Sequence, residues 1–167
     1  MMRIGFGYDV HPLVEGRRLF LGGVEIPFEK GLEGHSDADV LLHAICDGIL
    51  GALGEGDIGR HFPNTDPQFK GISSLRLLEA VASKLAKKFF LVENLDSTVV
   101  AENPKIGPYI PAMAEEIARR LGVAPEQVNI KATTSEKLGF IGEGKGIAAY
   151  AVVLLKEDYL AKNPVNA

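Results

Sequence analysis

"IGFGYDVH", residues 4–11, alternates Ile4, Phe6, Tyr8 and Val10 with Gly5, Gly7, Asp9 and His11. A period of two is that of an extended strand, and here it makes one apolar face and one face that is polar or empty. Asp9 and His11 project together from the second face, directly after two glycines.

Residues 18–21 and 24–26 flank Gly22-Gly23, a two-residue spacing suited to a hairpin turn. Ser36 followed by Asp39 reads as a capping box, and Leu42, Ile45, Cys46, Ile49 and Leu53 continue at helical spacing to a stop near Gly54. Over residues 55–71 the pattern breaks into Gly, Pro, Asn and Asp, a long connection of the functional or mobile kind. A second helix follows Ser73-Ser74 on Leu75, Leu78, Val81, Ala82 and Leu85, with Lys84, Lys87 and Lys88 as a solvated face near its end. Residues 97–101 and 128–132 read as strands, 110–121 as a helix closed by Gly122, and 147–155 as a buried strand. This order predicts an α+β fold, with helices packed on one face of a mixed four-stranded sheet plus a small N-terminal hairpin. The opposite face then needs a cover, which another subunit could supply.

A chain of 167 residues, 46% of them hydrophobic, suffices for one domain with a sizeable core. The net charge of −4 offers no basic surface to a nucleic acid. Cys46 is the sole cysteine, so no intramolecular disulfide forms, as suits a reducing, cytoplasmic location. No apolar run is long enough to span a membrane, and Met1-Met2-Arg3 leads straight into the first strand instead of a signal segment. Residues 158–167 carry no motif and are expected to be partly disordered.

Asp9 and His11 on one strand face, and His43 mid-helix with Asp39 and Asp47 one turn either side, are a candidate metal set. One carboxylate and two imidazoles suit zinc and leave a fourth position open, with Asp47 placed to orient His43. Spacing alone leaves the plainer reading open, in which Asp9 ends a strand and His43 caps a core face. His35 and Ser36, at the expected helix start, suit an anion or a simple cap. Asp57, Asn64, Thr65 and Asp66 suit a polyol or a run of turns. Residues 131–140 gather threonines, a serine, Glu136 and Lys137, able to contact phosphates and a hard divalent cation such as magnesium. Gly139, Gly144 and Lys145 nearly spell a P-loop, but Gly146 replaces the required hydroxyl and a strand follows, so the glycines read as turns.

Together "GYDVH", "GHSDADVLLHAICD", "GDIGRHFPNTDP", "AENPKIGPYIPAM" and "NIKATTSEKLGFIGEGKGI" resemble the 2-C-methyl-D-erythritol 2,4-cyclodiphosphate synthase family of the non-mevalonate isoprenoid pathway. The resemblance implies one synthase domain over residues 1–157 with a tail at 158–167, assembled as a homotrimer with active sites between subunits. It implies zinc on Asp9, His11 and His43, and a second divalent ion, magnesium or manganese, on Glu136 at the diphosphate. His35 and Thr134, with Ser36, correspond to groups that steady the reacting phosphates. Asp57, Gly59, Phe62, Asn64 and Asp66 correspond to the loop around the methylerythritol. Ala101, Pro104, Lys105, Ile106, Gly107, Ala132 and Thr133 correspond to segments around the cytidine and its phosphates, and Phe140 and Glu143 complete the set. The implied substrate is a small cytidine diphosphate, cyclised with loss of CMP.

Two positions depart from the family pattern. Asn64 stands where Asp is common, which removes a charge-assisted contact to sugar hydroxyls. Glu143 stands where many members carry an Arg associated with isoprenyl diphosphate in the trimer's central cavity, so retention of that anion is expected to weaken, with Lys145 as a compensating charge. The competing readings are a zinc phosphoesterase and a trimeric isoprenyl diphosphate-binding protein without turnover; Glu143 counts against the second.

Overall fold

In the computed structural model, which describes residues 1–162, the first strand is β1 (Met2–Glu15). The hairpin β2 (Leu19–Leu21) and β3 (Val24–Ile26) turns on Gly22 and Gly23, both at positive φ, as their sequence requires. β4 (Lys30–Leu32), α1 (Val40–Leu53), the short α2 (Ile58–His61) and α3 (Ser74–Lys87) follow. The second half contains β5 (Phe90–Val100), α4 (Ile110–Leu121), β6 (Val128–Thr133), the single turn α5 (Gly139–Gly142), β7 (Gly146–Glu157) and α6 (Tyr159–Lys162).

The main sheet has the order β4-β1-β7-β5-β6, antiparallel except where β5 and β6 run parallel. It therefore has five strands, not four. The additional one, β4, is three residues long and is a strand only because it pairs with Leu13, Val14 and Glu15 of β1.

α1 lies across β1 and β7, α3 packs beside α1, and α4 packs beside α3 over β6, so the helices do cover one face. They cover the glycine face of β1: Gly5 and Gly7 are buried, and a Cβ on Gly5 would meet the Gly48 carbonyl oxygen at 1.9 Å. Backbone thus packs on backbone, and β1 turns its large side chains the other way. Ile4 is 71% exposed and Phe6 63% exposed, and Tyr8, Val10, Tyr150 and Val152 continue the bare apolar face. For the same reason β7 alternates from Ala149 onward, with Ala149, Ala151, Val153 and Leu155 buried against the helices and Tyr150 and Val152 exposed.

The N-cap of α1 is Asp39, not Ser36. The Asp39 carboxylate accepts from the amides of Leu42, Gly22 and Gly23, so it joins the helix start to the hairpin turn. α1 and α4 end at Gly54 and Gly122 in left-handed conformations, as read from sequence. In the tail, Asp158 caps the turn of α6 through the Ala161 amide, and residues 163–167 lie outside the described part. No helix among the described residues is long and apolar enough to cross a membrane.

Candidate active site

Because the glycine face of β1 abuts α1, Asp9 and His11 meet His43, which sits in the first turn of α1 and not mid-helix. Asp9 Oδ2 lies 3.0 Å from His11 Nε2 and 2.9 Å from His43 Nδ1, and the two nitrogens are 3.2 Å apart. Tetrahedral ligand bonds of about 2.0–2.1 Å place donor atoms roughly 3.3 Å apart, so this triangle has the size and donor set of a three-residue zinc site. These three form a group able to hold a metal ion.

The surroundings aim the lone pairs inward. His11 Nδ1–H donates to the Glu33 carbonyl at 2.8 Å, which leaves Nε2 of the neutral ring as an acceptor. Burial by itself would raise the Asp9 carboxyl, but a ring protonated toward it, His11 or His43, outweighs this through hydrogen bond and charge and holds Asp9 at about 2. Burial likewise opposes charge on His11, and the Asp9 carboxylate with the Glu33 carbonyl raises its pKa regardless. Acceptor atoms this close repel one another unless a proton or a metal cation lies among them, and the raised pKa of His11 favours a proton there when no metal is bound.

Asp47 does not orient His43: its Oδ1 accepts from the Ile58 amide at 2.7 Å and so ties the following loop to α1. The nitrogen of His43 away from the triad, Nε2, faces Ser74 Oγ at 2.9 Å and Ser36 Oγ at 3.2 Å. Ser36 and His35 precede the helix by several residues, and Ser36 Oγ accepts from the Ala38 amide. Both still border a cavity of about 200 Å³ beside the triad, with Gly59, Phe62 and Asn64. Asp57 and Asp66 do not line it. They cap short turns of the loop, through the Arg60 amide at 2.9 Å and the Gln68 amide at 3.0 Å.

A second cavity, of about 370 Å³, opens where β5 and β6 end side by side. Ala101, Pro104, Lys105, Ile106, Gly107, Ala132, Thr133 and Thr134 all line it. So does Glu102, which the sequence reading passed over. Its Oε1 accepts from the Ser135 amide, the Ser135 hydroxyl and the Lys137 amide, and thereby holds a loop in which Glu136 and Lys137 take positive φ. Thr134 Oγ1 donates to Glu136 Oε1 at 2.6 Å, so Glu136 stands beside this cavity's rim and apart from the triad. Phe140 and Glu143 border neither of these two cavities, and Glu143 is ion-paired with Lys145. Gly139 and Gly144 take positive φ in turns.

Val10, Ala148, Val100 and Thr133 are successive register partners across β1, β7, β5 and β6. Both cavities therefore lie at the same end of the sheet, one beside β1 and the other beside β5 and β6, where Val10 and Thr133 are three strand spacings, or about 14 Å, apart. Cys46 is in the core, where burial pushes its thiol pKa up, and it touches neither cavity.

The profile of the YgbB family matches residues 2–156. The 2-C-methyl-D-erythritol 2,4-cyclodiphosphate synthase of Pelobacter propionicus is 64% identical over 92% of this chain and 98% of its own. The bifunctional IspDF of Campylobacter jejuni superposes with a TM-score of 0.90 at 44% identity, over 94% of this chain and 42% of that longer one. IspF of Plasmodium falciparum, solved as a CDP complex, has a TM-score of 0.82 at 38% identity over 93% of this chain and 96% of its own. With nearly its whole length matched by profile, sequence and structure alike, the chain belongs to the YgbB family.

Proposed function

We propose that this chain converts 4-diphosphocytidyl-2-C-methyl-D-erythritol 2-phosphate to 2-C-methyl-D-erythritol 2,4-cyclodiphosphate and CMP, a cytoplasmic step of isoprenoid precursor synthesis by the non-mevalonate route. The observation that carries the reading is the pairing of an inward-facing Asp9, His11 and His43 triad with a separate cavity lined by Ala101, Lys105 and Thr133. The relatives' shared name and the CDP complex of a structural neighbour support it.

Asp9, His11 and His43 would hold zinc, and Glu136 with the substrate phosphates would hold magnesium or manganese. Such ions, when bound, supply positive charge to the diphosphate oxygens. The chain's own part is positioning. Backbone and side chains around Ala101, Pro104–Gly107 and Ala132–Thr133 seat the cytidine, with Lys105 opposite its phosphates. Gly59, Phe62 and Asn64 seat the methylerythritol, while Asp57 and Asp66 keep their loop in shape. His35, Ser36 and Thr134 steady the phosphates so that the 2-phosphate lies in line with the β-phosphorus and CMP leaves from the opposite side. The substrate carries its own nucleophile, so no side chain is needed for covalent attack.

The active unit is a homotrimer with sites between subunits. Two features support this: the bare apolar face of β1 and β7, and the separation of the two cavities within one chain. With Glu143 paired to Lys145, the retention of an isoprenyl diphosphate by the trimer is weak; native mass spectrometry finding it at full stoichiometry would overturn that.

A phosphorus NMR time course with substrate, zinc and magnesium tests the reaction. Cyclic diphosphate and CMP are expected. Linear phosphates would indicate a phosphoesterase, and unchanged substrate with zinc in place would indicate a binder.

A further inference from the structure

The nitrogen of His43 that faces away from the triad is held by side chains with no assigned role. Ser74, the first residue of α3, is fully buried and places its Oγ 2.9 Å from His43 Nε2. Asp37, in the loop before α1, grips Ser74 twice: Oδ2 accepts from the Ser74 amide at 3.0 Å, and Oδ1 accepts from the Ser74 hydroxyl.

Counting protons decides the direction of the chain. A carboxylate only accepts, so the single hydroxyl proton of Ser74 goes to Asp37. Toward His43, Ser74 Oγ then has only lone pairs, and His43 Nε2 must carry the hydrogen between them. In the neutral ring this leaves Nδ1 bare, pointing at Asp9 Oδ2 and His11 Nε2. Ser36 fits the same direction. Its Oγ accepts from the Ala38 amide and, 3.2 Å from His43 Nε2, offers its other lone pair to the same N–H, while at 3.4 Å its hydroxyl can donate to the remaining lone pair of Ser74.

We propose that Asp37 and Ser74 are positioning residues that lock His43 into the Nε2–H tautomer, so that Nδ1 is presented to a divalent cation before one arrives. The inference rests on the metal reading of the triad only for its purpose; the tautomer stands or falls by itself. It also gives α3 a reason to begin where it does, since its first residue orients a side chain of α1. Partners of this kind typically change metal affinity about 10–100-fold when removed.

The test uses the metal-free full chain labelled with nitrogen-15, at a pH where the ring is neutral. Long-range proton–nitrogen correlations report which His43 nitrogen is protonated. Wild type is expected to show hydrogen on Nε2. Asp37→Asn, whose amide can donate to Ser74 and so free the hydroxyl proton for His43 Nε2, is expected to move the hydrogen to Nδ1. Ser74→Ala is expected to mix the two forms and raise the zinc dissociation constant about 10–100-fold in competition with a chromophoric chelator. Ser74→Thr, which keeps the hydroxyl, is expected to restore both readouts. Hydrogen on Nδ1 in wild type, or an unchanged tautomer in both Asp37→Asn and Ser74→Ala, would overturn the proposal. Failure of the metal reading would show separately, as wild type with the expected tautomer taking up no zinc.

Discussion

Gly7 of β1 lies directly beneath Ala44 of α1, so close that a Cβ on Gly7 would fall 1.9 Å from the Ala44 carbonyl oxygen. Gly7 is two residues before Asp9 and Ala44 is next to His43, so this backbone contact sets the distance across the triad. Gly7→Ala must drive the helix off the strand. It is expected to cost about 3 kcal/mol or more in urea unfolding and to weaken zinc binding in the same protein. Gly51→Ala, exposed on the same helix with only the Phe6 carbonyl oxygen at 4.0 Å, should instead stabilise by up to about 1 kcal/mol.

The outer face of β1 and β7 supplies a second prediction. The Tyr8 and Tyr150 rings lie 4.9 Å apart and the Phe6 and Tyr150 rings 6.3 Å apart, an exposed aromatic cluster on a sheet face. Light scattering of the wild type should give three times the 18.0 kDa of one chain. Phe6→Glu buries a charge in that contact and should shift the mass toward one chain, with activity falling in parallel.

Metal removal should register in stability as well as turnover. Zinc at about 100 times its dissociation constant adds about 2.7 kcal/mol to the folded state. For a chain of this size that is roughly 5–10 °C of melting temperature. Chelator-treated protein is expected to melt lower by this amount and to recover with zinc. Magnesium alone should not restore it, because two imidazoles are poor ligands for that ion. Recovery with magnesium would argue against the assignment of the triad.

Asp39 predicts a pH effect of defined sign. Its carboxyl is raised to about 6, first by burial and then by the charge of Asp37, against the opposing amides of Gly23, Leu42 and Gly22. A group with a raised folded pKa holds its proton in the native state after the unfolded chain has released it. Its contribution therefore declines as pH rises from about 4 through 6. The stability of wild type relative to Asp39→Asn should fall across that interval in the metal-free protein, measured by denaturant titration at each pH. A flat or rising difference would show that the three amides, not burial, dominate.

Much of the fold is legible locally. The alternation of residues 4–11, the Gly22-Gly23 turn and the glycines ending α1 and α4 each act within a few residues, through backbone hydrogen bonds and φ preferences. β4 was not legible, because three residues with a central glycine carry no period and become a strand only beside β1. Ser36 and Asp39 both suit an N-cap by composition. Asp39 takes the place because the hairpin turn brings two further amides to its carboxylate.

The order of the main strands and helices, the residues of the candidate triad and, through several motifs in order, the family resemblance are written in the chain. That β1 buries its empty face, that Asp47 and Asp57 hold loops in place, and that Asp37 and Ser74 stand behind His43 follow from the folded arrangement alone. The reason is range: hydrogen-bond periodicity reads out a few neighbours along the chain, whereas the depth of a helix on a sheet, and the partner of a buried hydroxyl 37 residues away, depend on where distant backbones come to rest.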